Sequence, residues 1–174
     1  MDEFYVICDN IRSLENIGSI FRTADALGVN KIFLCGISGK PPIGQNQSTF
    51  LKRKSARPST QNLSAPVSKT ALGAEKTIPF EYYLQTWRLI EKLKKEKVNI
   101  ISLEQDKKSI LYTKIKYKFP LALIIGNEVK GISKRILEKS DKIIYLPMQG
   151  QKESLNVSVA FGVAGYEILK NKNI

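Results

Sequence analysis

Three short segments carry the polar residue types that chemistry needs, each at the edge of an apolar run. The first is Asn16-Ile17-Gly18-Ser19-Ile20-Phe21-Arg22-Thr23-Ala24. Stepping roughly 100° per residue, Ile17, Ile20, Phe21 and Ala24 form an apolar stripe and Arg22 falls on the opposite helix face. Arg22 is then either a solvated helix arginine or a guanidinium aimed at a phosphate. Asn16 has a structural use too, as a helix N-cap. The second segment is Gly126-Asn127-Glu128-Val129-Lys130-Gly131-Ile132-Ser133. Gly126 and Gly131 have the spacing of a P-loop, but Ile132 stands where the lysine would be, so nucleoside triphosphate binding of that type is rejected. The segment is either a ligand loop at a strand end or a plain strand-to-helix turn. The third runs from Leu146-Pro147-Met148 to Ser154-Leu155-Asn156-Val157-Ser158. Ser154 there serves as a helix cap, or Ser154 and Asn156 face a ligand.

Elements must hold these segments. Phe4–Cys8, Lys31–Cys35, Val98–Leu103, Leu121–Ile125 and Ile143–Leu146 read as five strands, mostly continuous apolar runs. Helices are expected over 16–27, 80–97, 132–139 and 154–170, the last apolar on nearly every side. Apolar strands alternating with helices give an α/β fold: a mostly parallel sheet flanked by helices. The stretch from Gly36 to about Lys76 is rich in Ser, Thr, Pro, Asn and Gln and reads as a long loop, of a length that is usually either functional or disordered. No repeat or second domain is visible, so residues 1–174 are taken as one domain without an appended RNA-binding domain.

Composition narrows the chemistry. There is no histidine, which removes histidine triads, histidine bases and most zinc sites. Cys8 and Cys35 lie inside apolar runs and read as buried hydrophobes, so no metal site is expected. The net charge of +12 favours a polyanionic partner. Lys52, Arg53, Lys54 and Arg57 concentrate that charge in the long loop and are candidate RNA-binding residues. No apolar run approaches the roughly 18 residues of a membrane span, and the N-terminus lacks signal-peptide character, so a cytoplasmic location is expected.

Together, in this order, the three segments resemble the TrmH-like RNA ribose 2′-O-methyltransferases of the SPOUT superfamily. The third segment, Pro147-Met148 through Ser154-Leu155-Asn156-Val157-Ser158-Val159-Ala160, is the most specific. The likeness extends from about Phe4 to Leu169. It implies a deep C-terminal trefoil knot, S-adenosylmethionine held by Leu103, Gly126, Leu146, Met148 and Leu155, and a homodimer formed by the last helix. It implies Arg22, Asn16, Glu128, Ser154 and Asn156 as the catalytic set acting on tRNA or rRNA. Arg22 would orient a phosphate, because a guanidinium holds its proton too tightly to serve as a base. Asn16 and Asn156 would fix the substrate and Arg22; Glu128 would hold Arg22 or a substrate group; Ser154 would bond near the donor or the ribose. Val129 departs from the pattern, since many relatives have glycine there, and valine disfavours positive φ. Two other readings stay open: a non-catalytic RNA-binding module on this fold, and a knotted enzyme that methylates a base.

Overall fold

A computed structural model describes residues 2–41 and 65–172. Among these residues seven strands form one sheet in the order β3-β2-β1-β6-β4-β7-β5, with every pairing parallel. The strands are β1 (Phe4–Asp9), β2 (Lys31–Cys35), β3 (Phe80–Tyr83), β4 (Asn99–Leu103), β5 (Ile110–Leu111), β6 (Leu121–Ile125) and β7 (Lys142–Tyr145). The helices are α1 (Leu14–Ala26), α2 (Ala65–Ala71), α3 (Ala74–Thr77), α4 (Thr86–Lys95), α5 (Lys134–Leu137) and α6 (Val157–Leu169).

Alternation along the strands sorts their side chains onto two cores. Val6, Cys8, Leu34, Leu123 and Ile125 face a cluster closed by α1, α2, α3 and α6, with Phe21 and Phe161 fully buried in it. Ile7, Phe33, Cys35, Ala122 and Ile124 face the opposite cluster, closed by Leu89, Ile90 and Leu93 of α4 and Ile136 of α5. Burial on both faces explains why β1, β2 and β6 read as unbroken apolar runs. The two cysteines sit in these cores as free thiols; burial pushes both up, Cys35 to about 12, so neither is a ready nucleophile.

The five expected strands are present. Two were missed for a physical reason. Phe80–Tyr83 belongs to β3 rather than to a helix over 80–97, because its backbone is claimed by parallel pairing with Ile32–Cys35. The two-residue β5 is too short to show a period. The supposed loop from Gly36 also contains α2 and α3, which pack beside α1. Gly18 permits that approach: a Cβ there would lie 2.5 Å from the Val67 carbonyl oxygen and collide with Thr70. The caps differ as well. Ser13, not Asn16, caps α1, its Oγ accepting from the Asn16 N–H at 3.1 Å. Asn156, not Ser154, caps α6.

Candidate active site

The C-terminal ends of β6, β4 and β7 open onto a cleft of about 420 Å³. This is where open parallel sheets hold ligands, since the strand ends and following loops diverge there. Leu103, Gly126, Leu146, Met148 and Leu155, the five residues expected to hold a cofactor, all line it. Glu128, Ser154 and Asn156 line it too. Glu104 and Gln105 complete the wall and were not singled out from the sequence. Their signal was available: they directly follow Leu103 at a strand end.

Local chemistry shapes each wall. The loop after β6 is folded by Asn127, whose Oδ1 accepts from the Val129 and Lys130 N–H groups at 3.0 and 2.9 Å. Its Nδ2 donates to the Asn10 carbonyl at 2.8 Å, tying the loop to the turn after β1. Positive φ in this loop falls on Gly131, at +63°, so Val129 adds no backbone strain and points its side chain outward, 90% exposed. Glu104 Oε2 accepts from the Ile132 N–H at 2.7 Å. A Cβ on Gly131 would collide with that carboxylate, and one on Gly126 would lie 2.8 Å from the Ile132 nitrogen. Opposite, Gln105 Nε2 donates to the Leu146 carbonyl at 2.9 Å and braces the segment that leaves β7.

A polar relay joins the three segments across 140 residues of chain. Asn156 Nδ2 donates to Asn16 Oδ1 at 3.0 Å. Asn16 Nδ2 donates to Glu128 Oε1 at 3.1 Å. Glu128 also accepts from the Ser13 N–H at 3.0 Å and the Arg12 N–H at 3.2 Å. Asn156 Oδ1 accepts from the N–H and Oγ of Ser158, fixing the relay to the start of α6. Burial alone would push Glu128 up. The backbone donors of Ser13, Glu128 itself and Arg12, with the Asn16 amide, outweigh burial and hold the carboxyl below its usual range.

The remaining candidates stand differently. Arg22 is exposed on α1, does not line the cleft, and makes no hydrogen bond or ion pair with the described residues. Glu128 is therefore engaged by Asn16 and two backbone amides rather than by Arg22. Ser154 is exposed at the cleft rim without a hydrogen bond to a described residue. Lys52, Arg53, Lys54 and Arg57 lie outside the described residues.

Among the described residues the cleft lining holds two carboxylates, Glu104 and Glu128, and neither lysine nor arginine. Such a site suits a ligand with a positive centre and an apolar body. It does not suit a polyphosphate, which needs cations or a cradle of free amides. The residues present thus fit a sulfonium-bearing nucleoside.

Comparison with known proteins gives the same direction. The model of the SpoU rRNA Methylase family matches residues 49–166. The chain is 31% identical over 170 residues to the putative TrmH family tRNA/rRNA methyltransferase YacO of Bacillus subtilis, covering 98% of this chain and 59% of YacO. It is 29% identical over 170 residues to a tRNA (guanosine(18)-2′-O)-methyltransferase of Aquifex aeolicus, covering 98% of this chain and 70% of that protein. The fold matches an AdoMet-bound rRNA methyltransferase from Sinorhizobium meliloti with a TM-score of 0.77 and 26% identity, over 97% of this chain and 56% of that one. The chain thus spans about three fifths of YacO's length. Among the described residues no helix is long and apolar enough to cross a membrane.

Proposed function

Because the chain belongs to the SpoU rRNA Methylase family, we propose that it is an RNA ribose 2′-O-methyltransferase. S-adenosylmethionine would supply an electrophilic methyl group, and tRNA or rRNA the accepting hydroxyl. The observation that carries this reading is the relay Glu128–Asn16–Asn156, which binds all three segments beside a cleft that presents two carboxylates and no cation among the described residues. Leu103, Gly126, Leu146, Met148 and Leu155 would hold the donor. Glu128, Asn16 and Asn156 would keep the strand-end loops and α6 in register, so that Ser154 and the cleft rim meet the ribose. Positioning of this kind supplies much of the rate of a bimolecular transfer. Arg22, unpaired among the described residues and always charged, would grip the neighbouring phosphate; the hydroxyl proton would leave to phosphate or water.

The proposal includes a homodimer built on α6. Val159, Val163 and Tyr166 are 51%, 40% and 54% exposed and recur at helical spacing on the face away from the core, with Leu155 just before the helix. That helix packs beside α1, where Gly162 meets Thr23, so the dimer face adjoins the turn that carries Arg22. A Val159→Glu, Val163→Glu double variant is expected to sediment as a monomer and to lose transferase activity. A cytoplasmic setting and a trefoil knot complete the reading. The knot is what the family likeness implies; the segment between β7 and α6 lines the same cleft as the loop after β6, and α6 packs on α1, which is compatible with it.

The test is methyl transfer from labelled donor to unmodified RNA, with Arg22→Ala as the control. Label at a ribose, reduced about 100-fold in the variant (roughly 2.7 kcal/mol in the barrier), supports the assignment. Donor binding without label in any RNA, or label on a base, overturns it. Absence of donor binding makes the non-catalytic RNA-binding module the better reading.

A further inference from the structure

A second cavity, of about 180 Å³, opens at the same end of the sheet on the other side of the 126–133 loop. Its walls include Asp9 and Asn10 at the end of β1, Thr86 and Trp87 at the start of α4, and Ser133 and Arg135 at α5. Three observations there call for a ligand. Asp9 is 97% buried, being 3% exposed, yet both hydrogen bonds to its carboxylate, from Thr86 at 2.5 Å and Asn10 at 3.0 Å, fall on Oδ1. Its Oδ2 has no partner among the described residues and is open to the cavity, since no fully buried side-chain oxygen among them is left unpaired. Arg135 lies with its guanidinium carbon 4.3 Å from the Trp87 ring centroid and makes no ion pair with a described residue. Arg88 lies 5.1 Å from the same ring and is likewise without an ion pair.

An aromatic ring overlaid by a guanidinium, beside a carboxylate with a free oxygen, is a combination that recognises an unstacked nucleobase. The guanidinium and the indole offer π surfaces on which a base can stack, and the carboxylate can accept from an exocyclic amine. The volume admits one ring system and not a folded helix. Burial raises the Asp9 carboxyl against the two hydrogen bonds that lower it, which makes a donor delivered by a ligand more valuable there. The donor cleft and this cavity lie on either side of one loop: Gly126 to Val129 and Gly131 line the first, and Ser133 and Arg135 line the second.

We propose that this cavity is a nucleobase subsite, which takes an amino-bearing base of the RNA next to the nucleotide whose ribose is methylated. The proposal rests on the RNA methyltransferase reading above. Asp9 and Arg135 are positioning residues in it, since neither reaches the methyl-transfer cleft.

Trp87 is the chain's one tryptophan, so its emission reports on the subsite alone. Two titrations of the intact protein separate the possibilities. Anisotropy of fluorescein-labelled, single-stranded RNA of mixed sequence measures binding; Trp87 emission with the same RNA unlabelled measures occupancy. The expected result is that emission falls in step with binding, and that Arg135→Gln weakens both on the order of tenfold. Lys118→Gln, at the far end of the sheet, serves as the charge control and should weaken them much less. Asp9→Asn should reduce the preference for mixed RNA over oligouridylate while leaving Trp87 emission of the free protein intact. Binding without a change in Trp87 emission, or equal losses in Arg135→Gln and Lys118→Gln, overturns the subsite and leaves the transferase reading standing. Absence of RNA binding overturns both.

Discussion

The two cavities at the C-terminal edge of the sheet share a loop and differ in charge. One is walled by strand ends and two carboxylates, with no cation among the described residues; the other has a guanidinium over an aromatic ring beside one carboxylate. Both are products of the same topology, because a parallel sheet sends all its loops to one edge. The contrast shows how such an edge can receive two unlike molecules at once. On the proposed reading, a sulfonium-bearing donor would be drawn to the acidic side and a phosphate-linked base to the side where Asp9 and Arg135 stand together. The 126–133 loop is the partition; Asn127 and Glu104 fix its backbone, and Ile132 anchors it in the core beneath α4 and α5.

The sharpest way to break this contrast is to fill one side. Gly126→Ala adds a Cβ 2.5 Å from the Ile132 side chain and 2.8 Å from backbone atoms that cannot yield. Donor affinity measured by calorimetry should fall by more than about 100-fold, with about 1–3 kcal/mol of lost stability, while RNA binding by anisotropy survives. Loss of both together would mean that the two cavities are not independent. A smaller effect is expected from Asn156→Ala, which removes the α6 cap and the relay's link to Asn16. It should cost about 1 kcal/mol, lowering Tm by about 3 °C, and should slow methyl transfer more than it weakens donor binding. A variant as active as the parent would reduce Asn156 to a helix cap.

The smallest effect lies in pH. Folding lowers the Glu128 carboxyl, so its contribution to stability is fully present above its unfolded value of about 4.3. That contribution is lost as pH falls through the lower folded value. The stability difference between the parent and Glu128→Gln should therefore be constant near neutrality and shrink only below about pH 4.3. A difference that varies between pH 6 and 8 would show that some other group controls the relay.

Much of this protein can be read along the chain. Unbroken apolar runs such as Leu121–Ile125 revealed the doubly covered sheet, because burial on both faces erases the polar alternation of a half-exposed strand. The polar residues interrupting the ends of such runs marked the cleft, and all five residues expected to hold the donor line it. Residue type alone also set the absence of histidine chemistry and the cationic balance. What the sequence left undetermined was partnership. Glu128 could be matched with Arg22 on paper, yet its oxygens are taken by Ser13, Arg12 and Asn16, because the β6 loop lies over the start of α1. Phe80–Tyr83 has a helical neighbour and becomes a strand through pairing with β2. Asp9, Trp87 and Arg135, spread over most of the chain, gain a shared cavity only when β1, α4 and α5 converge. Local periodicity is written in neighbouring residues; which distant groups meet is decided by strand order, and no short stretch of sequence encodes that.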